Sequence, residues 1–350
     1  MTQENKLPVH VLSGFLGSGK TTLLKRLLAG PDWHDVALLV NEFGEVGIDH
    51  LLLNEVAPDI VLLPGGCLCC AIRGELKQAL LDLYERRQRG QLPPFSKIIL
   101  ETTGLADPAP ILATLLHDRQ LQYHFSQGML VTLVDSEHGW QQAEQQPEWL
   151  AQVTAADWLL LSKTDRVSPA ALPALRAYLQ QLNPLAQIAC STELADGDLS
   201  LFETPFNPQA PQRFRRWLGK VAGPLKAQAP LSDASAEHPA TTTCVITFEQ
   251  QINWSAFAVW LSMLLHCHGQ SILRIKGLLN VAESATPVVI HGVQHSLHPP
   301  IHLSAWPETR RQSQLVFIMR GISSACLHNA FTHFLQPYTT ETDAIGASTL

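Results

Sequence analysis

The chain has 350 residues, which at about 150 per domain suggests two domains, and it is 46% apolar against only 16% charged. With charged residues well under the usual share of about 25%, a largely disordered chain is excluded. The formal charge of −7, from 24 Lys plus Arg against 31 Asp plus Glu and without any basic run, argues against a nucleic-acid partner.

No membrane partner is expected either, because the longest apolar stretch, Ala256 to Leu265, is about half the ~20 residues needed to cross a bilayer. The N-terminal Met-Thr-Gln-Glu-Asn-Lys runs into a strand-like segment without a small-residue cleavage site, so the expected location is the cytoplasm.

In chain order, short β-rich runs alternate with helical periods. Strands are predicted at Val9–Ser13, Val36–Val40, Ile60–Leu63, Lys97–Glu101, Met129–Val134 and Trp158–Leu161. Helices are predicted at Thr21–Leu28, Glu75–Arg87, Pro108–Leu116, Trp149–Ala156 and Pro169–Leu182. This βα alternation predicts an α/β domain around a mainly parallel sheet over residues 1–206. Residues 207–243 turn to Pro, Ala, Ser and Gln and read as a linker, with a short helix at Arg213–Leu218. A smaller α+β domain is expected over 244–336, with strands Cys244–Phe248, Ile272–Leu279, Val288–His291 and Leu315–Met319 and helices Ser255–Leu265 and Ser323–Leu335. Residues 337–350 form a polar tail.

Gly14-Phe15-Leu16-Gly17-Ser18-Gly19-Lys20-Thr21 fits the G-x-x-x-x-G-K-T pattern, follows a predicted strand and opens a predicted helix. In that context Gly14, Gly17 and Gly19 let backbone N–H groups, with that of Ser18, turn inward on phosphates. The helix start at Thr21 and Thr22 adds positive potential. Lys20 bridges β and γ oxygens, and the Thr21 hydroxyl ligates Mg²⁺.

Glu101 ends a strand and is followed by Thr102-Thr103-Gly104, which places a carboxylate beside the nucleotide crevice. It can hold a metal-bound water or orient the attacking one, while Gly104 lets the backbone approach the γ-phosphate. The alternative is an acid capping the next helix. Ser162-Lys163-Thr164-Asp165 stands where GTPases carry Asn-Lys-x-Asp, in which the Asp accepts from guanine and the Lys stem covers the ring. With Ser162 in place of Asn one amide contact is lost, and guanine preference rests on Asp165. The competing reading is a helix N-cap.

Pro64-Gly65-Gly66-Cys67-Leu68-Cys69-Cys70 groups three of the seven Cys within four positions, a spacing that suits soft metal ions such as Zn²⁺ better than a disulfide framework. With no second Cys pair to close a structural zinc site, an exchangeable position is expected, to which Glu42 or Glu45 of Asn41-Glu42-Phe43-Gly44-Glu45, or His117, could add a ligand. Redox-active or simply buried thiols are the alternatives. Further along, His266, Cys267, His268, His291, His295, His298 and His302 have spacings that could gather metal, although solvated or core histidines are commoner.

With Gly14–Thr22, Asn41–Glu45, Gly65–Cys70, Glu101–Pro108 and Ser162–Asp165 in this order, the chain resembles the CobW family of P-loop GTPases, many of which are metal chaperones. The likeness extends through Leu273-Arg274-Ile275-Lys276-Gly277, His291-Gly292-Val293-Gln294 and Leu315-Val316-Phe317-Ile318, and so covers nearly the whole chain. The resemblance implies a P-loop NTPase domain with a CobW-like C-terminal domain. It also implies GTP hydrolysis with Mg²⁺, a cargo of zinc or, in a cobalamin branch, cobalt, and a client metalloprotein; hydrolysis is expected to be slow because no arginine finger can be identified in the sequence, and a nucleotide-dependent homodimer is among the expected partners. The chain departs from it at Ser162 and in a linker with a single His, His238, so no metal store is expected there. A nucleotide-gated scaffold and a small-molecule kinase are the rival functions.

Overall fold

The structure, a computed structural model, describes residues 6–30, 35–41, 61–63, 71–203, 241–307 and 311–335. These residues divide into two compact units, 6–203 and 241–335. The first is a three-layer α/β unit. Its strands are β1 (Leu7–Gly14), β2 (Val36–Asn41), β3 (Val61–Leu63), β4 (Lys97–Glu101), β5 (Phe125–Asp135), β6 (Trp158–Ser162) and β7 (Gln187–Cys190). They form one sheet in the order β3-β2-β4-β1-β5-β6-β7, every neighbouring pair parallel.

Strands covered on both faces need apolar residues at consecutive positions, which is why Met129 to Val131 and Leu159 to Leu161 read as unbroken runs and are buried. The helices are α1 (Lys20–Leu28), α2 (Ala71–Gln88), α3 (Pro108–His117), α4 (Arg119–His124), α5 (Gly139–Gln145), α6 (Pro147–Ala155) and α7 (Ala171–Leu182). In α1 the residues Leu23, Leu24, Leu27 and Leu28 form the buried stripe, and Trp149 and Val153 of α6 pack with Leu175 and Leu179 of α7 against Leu159 and Leu161.

The second unit is α+β. Strands β8 (Thr241–Phe248), β9 (Ile272–Leu279), β10 (Val288–Val293), β11 (Ser296–Leu297), β12 (Ile301–His302) and β13 (Ser313–Arg320) form an antiparallel sheet in the order β11-β10-β9-β13-β8, with β12 on β10. Helices α8 (Trp254–His268) and α9 (Ser324–Leu335) bury Phe257, Trp260, Leu327 and Phe331 against Ile275, Leu315 and Phe317 of the sheet. The Asn253 side chain starts α8 by accepting from the Ala256 N–H at 2.9 Å.

Three differences from the predicted elements stand out. The sheet has a seventh strand, β7, beyond the six predicted, and α4 and α5 were not predicted. The helix expected from Pro169 begins at Ala171, after a turn closed by the Ala171 N–H on Ser168 O. The predicted helix 213–218 lies outside the described residues. No helix among the described residues is long and apolar enough to cross a membrane.

Candidate functional site

The carboxyl ends of four adjacent strands carry the site. β4, β1, β5 and β6 end at Glu101, Gly14, Asp135 and Ser162, so the predicted motifs emerge side by side at one edge of the sheet. Between Gly14 and α1 the chain turns through three glycines at positive φ, Gly14 at 142°, Gly17 at 72° and Gly19 at 95°. A Cβ at Gly14 would lie 2.6 Å from the Leu133 carbonyl oxygen, so no larger residue fits there without movement.

Lys20 Nζ folds back over the loop, donating to Gly14 O at 2.9 Å and to Phe15 O at 3.4 Å. Gly19 opens α1 with no side-chain cap, and Ser18 Oγ is buried with no hydrogen-bond partner among the described residues. An uncapped helix start, a glycine cradle and a folded-back ammonium fit the triphosphate of a nucleotide, and the hydroxyl of Thr21 in the first turn fits its Mg²⁺.

Glu101 is buried and lies opposite Leu12 in the β1–β4 register. It does not cap α3, because Asp107 Oδ1 takes that role, accepting from the Ala109 N–H at 2.9 Å. Gly104 presses on the phosphate loop, where a Cβ would sit 2.6 Å from Leu16 N. Its carbonyl is held from behind by Gln152, fully buried in α6, whose Nε2 donates to Gly104 O and Ala106 O, both at 3.0 Å.

At the end of β6, Ser162 Oγ donates to Ser18 O in the phosphate loop at 2.7 Å and also lies 3.3 Å from Val134 O. The next residue, Lys163, has φ of 53°, and its Nζ meets Asp135 Oδ2 at 2.7 Å. Asp135 Oδ1 accepts from the N–H of Glu137 at 2.9 Å and of His138 at 3.4 Å, and His138 Nδ1 lies 3.2 Å from Oδ2. Burial pushes the Asp135 carboxyl upward, but the hydrogen bonds from Lys163, Glu137 and His138 and the Lys163 charge outweigh it, leaving the group below the usual carboxylate range. Asp165 stands exposed in the 3₁₀ turn Thr164–Arg166. This segment is not the cap of α7, which starts from Ala170 without a side-chain cap.

Of the predicted metal ligands, Glu42, Glu45, Cys67, Cys69 and Cys70 lie outside the described residues. His117 is exposed in the last turn of α3, a ten-residue helix, and so about 13 Å along it from Pro108.

Among the described residues the C-terminal histidines form no group of three or more ligand atoms. His266, Cys267 and His268 are exposed at the end of α8, His295 Nδ1 bonds Leu265 O at 3.0 Å, and His302 Nδ1 lies 3.3 Å from Ser284 Oγ. His291 and His298 are buried with ring centroids 3.4 Å apart. Burial, then the charges of His298, Arg274 and Lys276, hold His291 well below the ordinary imidazole range.

Among the described residues the one group whose ligand atoms come together is Asp135, Glu137 and His138, within 4.8 Å. The Lys163 ammonium already sits on its central carboxylate. Sequence reasoning missed Asp135 and Gln152. Asp135 directly follows the predicted strand Met129–Val134, a signal that was available, whereas Gln152 is one polar residue on an otherwise ordinary helix.

Residues 8–190 match the model of the CobW/HypB/UreG nucleotide-binding domain, and residues 241–335 match the cobalamin synthesis protein CobW C-terminal domain. Among curated proteins the chain is 31% identical over 314 residues to the zinc chaperone YjiA of Escherichia coli, covering 90% of this chain and 94% of that protein. It is 34% identical over 193 residues to the zinc-regulated GTPase metalloprotein activator 1 of Schizosaccharomyces pombe, covering 53% of this chain and 46% of that one. The crystal structure of Zn(II)-bound YjiA GTPase from E. coli superposes with a TM-score of 0.67 at 25% identity, covering 94% of this chain and 99% of that one. The chain therefore belongs to the CobW/HypB/UreG family of nucleotide-binding proteins and carries the CobW type of C-terminal domain.

Proposed function

We propose that the protein is a GTP-hydrolysing metallochaperone that binds zinc at Cys67, Cys69 and Cys70 and couples the state of its nucleotide to delivery of the metal to a client metalloprotein. The observation that carries this reading is the convergence of the glycine cradle with Lys20, the Glu101–Gly104 turn and the Ser162–Asp165 turn at one sheet edge, tied by the Ser162–Ser18 hydrogen bond of 2.7 Å.

Each part has a task. The loop N–H groups and Lys20 bind the β- and γ-phosphates and stabilise charge on the transferring group. Mg²⁺, held by Thr21, neutralises phosphate charge when bound. Glu101 orients the attacking water, and the backbone at Gly104 approaches the γ-phosphate. Asp165 accepts from guanine while the Lys163 stem covers the ring. Glu42 and Glu45 add carboxylates to the three thiolates around the cargo ion. Residues 42–70 lie in sequence between the strand partner of β4 and the helix before it, so ordering by the γ-phosphate is transmitted to the thiolates through a shared segment. Without an arginine supplied to the γ-phosphate, hydrolysis is slow until a partner or a second copy docks.

The zinc chaperone and GTPase names of the relatives support this reading. The experiment is zinc titration of the full chain loaded with a non-hydrolysable GTP analogue or with GDP. Coupling requires different affinities in the two states and their loss in Cys69→Ser; equal affinities in both, or an unaffected Cys69→Ser, remove the chaperone function and leave a nucleotide-gated scaffold. Cobalt in the same titration tests the other cargo.

A further inference from the structure

The loop that follows β7 is tied to α1 through one side chain. Arg26, in the last turn of α1, donates from Nε to Asp196 Oδ1 at 2.9 Å, from Nη1 to Ser191 O at 3.0 Å and from Nη2 to Leu194 O at 2.6 Å. The backbone closes the same contact, Gly197 N–H donating to Arg26 O at 3.0 Å. Gly30 and Gly197 approach so closely that a Cβ on Gly30 would lie 2.4 Å from Gly197 Cα. At its other end the loop is fixed by Glu193 Oε2, which accepts from the Cys190 N–H at 3.1 Å, and by Arg176, which donates to Ile188 O at 3.0 Å.

The place of this loop gives the clamp its meaning. β7 runs parallel to β6 with Cys190 opposite Leu161, so Ser191 leaves the sheet beside Ser162 and the Lys163–Asp165 turn. α1 is the helix that the phosphate loop opens. A planar base covered on one face by the Lys163 stem needs a second wall, and the sheet register sets Ser191, the start of the 191–197 segment, next to it. The exposed ion pair to Asp196 contributes little by itself; the two carbonyl bonds and the rigid fork of the guanidinium set the loop's position.

We propose that Arg26 is a positioning residue for nucleobase recognition: it locks the 191–197 loop against α1 as a wall of the guanine site, so that the base pocket and the phosphate cradle move as one piece. This rests on the reading of Lys163–Asp165 as the base-contact turn.

The test uses the full chain and the affinities of fluorescently labelled GDP and ADP, with kcat and KM for GTP. Arg26→Met keeps the aliphatic stem and removes all three bonds. It raises the GDP dissociation constant and the GTP KM about tenfold, leaves kcat within about twofold and leaves ADP affinity unchanged. Arg26→Lys fails to restore GDP affinity, because an ammonium cannot span the planar fork. Equal weakening of GDP and ADP, a fall in kcat at constant KM, or full recovery in Arg26→Lys overturns the proposal. Asp165→Asn is measured alongside. Unchanged GDP affinity there removes the base-site reading itself, whereas weakened Asp165→Asn with unaffected Arg26→Met removes only the role of Arg26.

Discussion

The Ser162 hydroxyl donates to the Ser18 carbonyl across 2.7 Å, joining the end of β6 to the phosphate loop. Ser162 stands where the sequence pattern Asn-Lys-x-Asp would place Asn, and its short side chain spends its hydroxyl on the loop backbone. The bond is buried at both ends, so its loss leaves an acceptor without water to replace the donor.

Ser162→Ala is therefore expected to destabilise the N-terminal unit by about 1–3 kcal/mol and to weaken GTP and GDP alike by about tenfold, since it disturbs the cradle rather than the base contact. Denaturant titration and nucleotide binding check this. Unchanged binding would show that the loop holds its shape without the tether.

A second expectation concerns Gly104. Its missing Cβ leaves space for Leu16 N, and Gln152 fixes its carbonyl from the opposite side. Gly104→Ala must push the turn away from the phosphate loop, and Gln152→Leu must release it. Each is expected to lower kcat by about a hundredfold, the scale of one lost transition-state donor, with nucleotide affinity changed only a few-fold. Single-turnover hydrolysis measures the step directly, and equal losses in kcat and affinity would place Gly104 in the ground-state cradle instead.

What the sequence displays depends on whether the physics is local. The glycine cradle was legible because the turn demands positive φ at Gly17 and Gly19, and only glycine takes that conformation without strain. The central strands were legible because burial on both faces forces runs such as Leu159-Leu160-Leu161. β7 was not, since Gln187, Ile188 and Ala189 are half-buried at the edge of the sheet and four residues set no period. Gln152 and Arg26 act across long sequence separations on backbone atoms, a pairing that imposes no pattern on the acceptor residues. The histidine spacings were uninformative for a related reason: they say nothing about burial, and the strand residue His291 is inside while the helix residue His266 is exposed, in keeping with the core and solvated histidines that were the commoner reading.

The Lys163–Asp135 pair, at 2.7 Å with a buried carboxylate, supplies a third expectation. Lys163→Met leaves the Asp135 charge held only by His138 and two backbone N–H groups, whereas Asp135→Asn leaves Lys163 free to reach solvent. Lys163→Met is the more destabilising of the two, by about 1–3 kcal/mol, less than for a fully buried pair because Lys163 is partly exposed. A double-mutant cycle on thermal stability returns the coupling. Additivity within about 0.5 kcal/mol would mean that the pair stabilises nothing beyond its separate contacts.

Acid sensitivity should be set by histidines rather than by Asp135. Asp135 is lowered in the folded state, so the stability it contributes is present above the unfolded carboxylate value of about 4 and is lost only as pH falls through its lower folded value. His10 behaves differently. It is fully buried, its Nδ1 accepts from the Met129 N–H at 2.9 Å, and its ring meets Phe202 edge-on at 5.5 Å. Burial and then the Lys97 charge, opposed by Asp157, bring its pKa from 6.5 down to about 3. The unfolded chain takes up this proton near pH 6.5 and the folded one does not, so stability falls as pH drops below 6.5 and the loss levels off near pH 3. From pH 7 to pH 5 the loss from His10 alone is about 2 kcal/mol. His10→Asn, whose side-chain oxygen can accept from Met129, removes that part of the slope even if it lowers stability at pH 7. Denaturant midpoints at the two pH values measure it, and an unchanged pH dependence in His10→Asn would show that the imidazole takes up its proton inside the folded core.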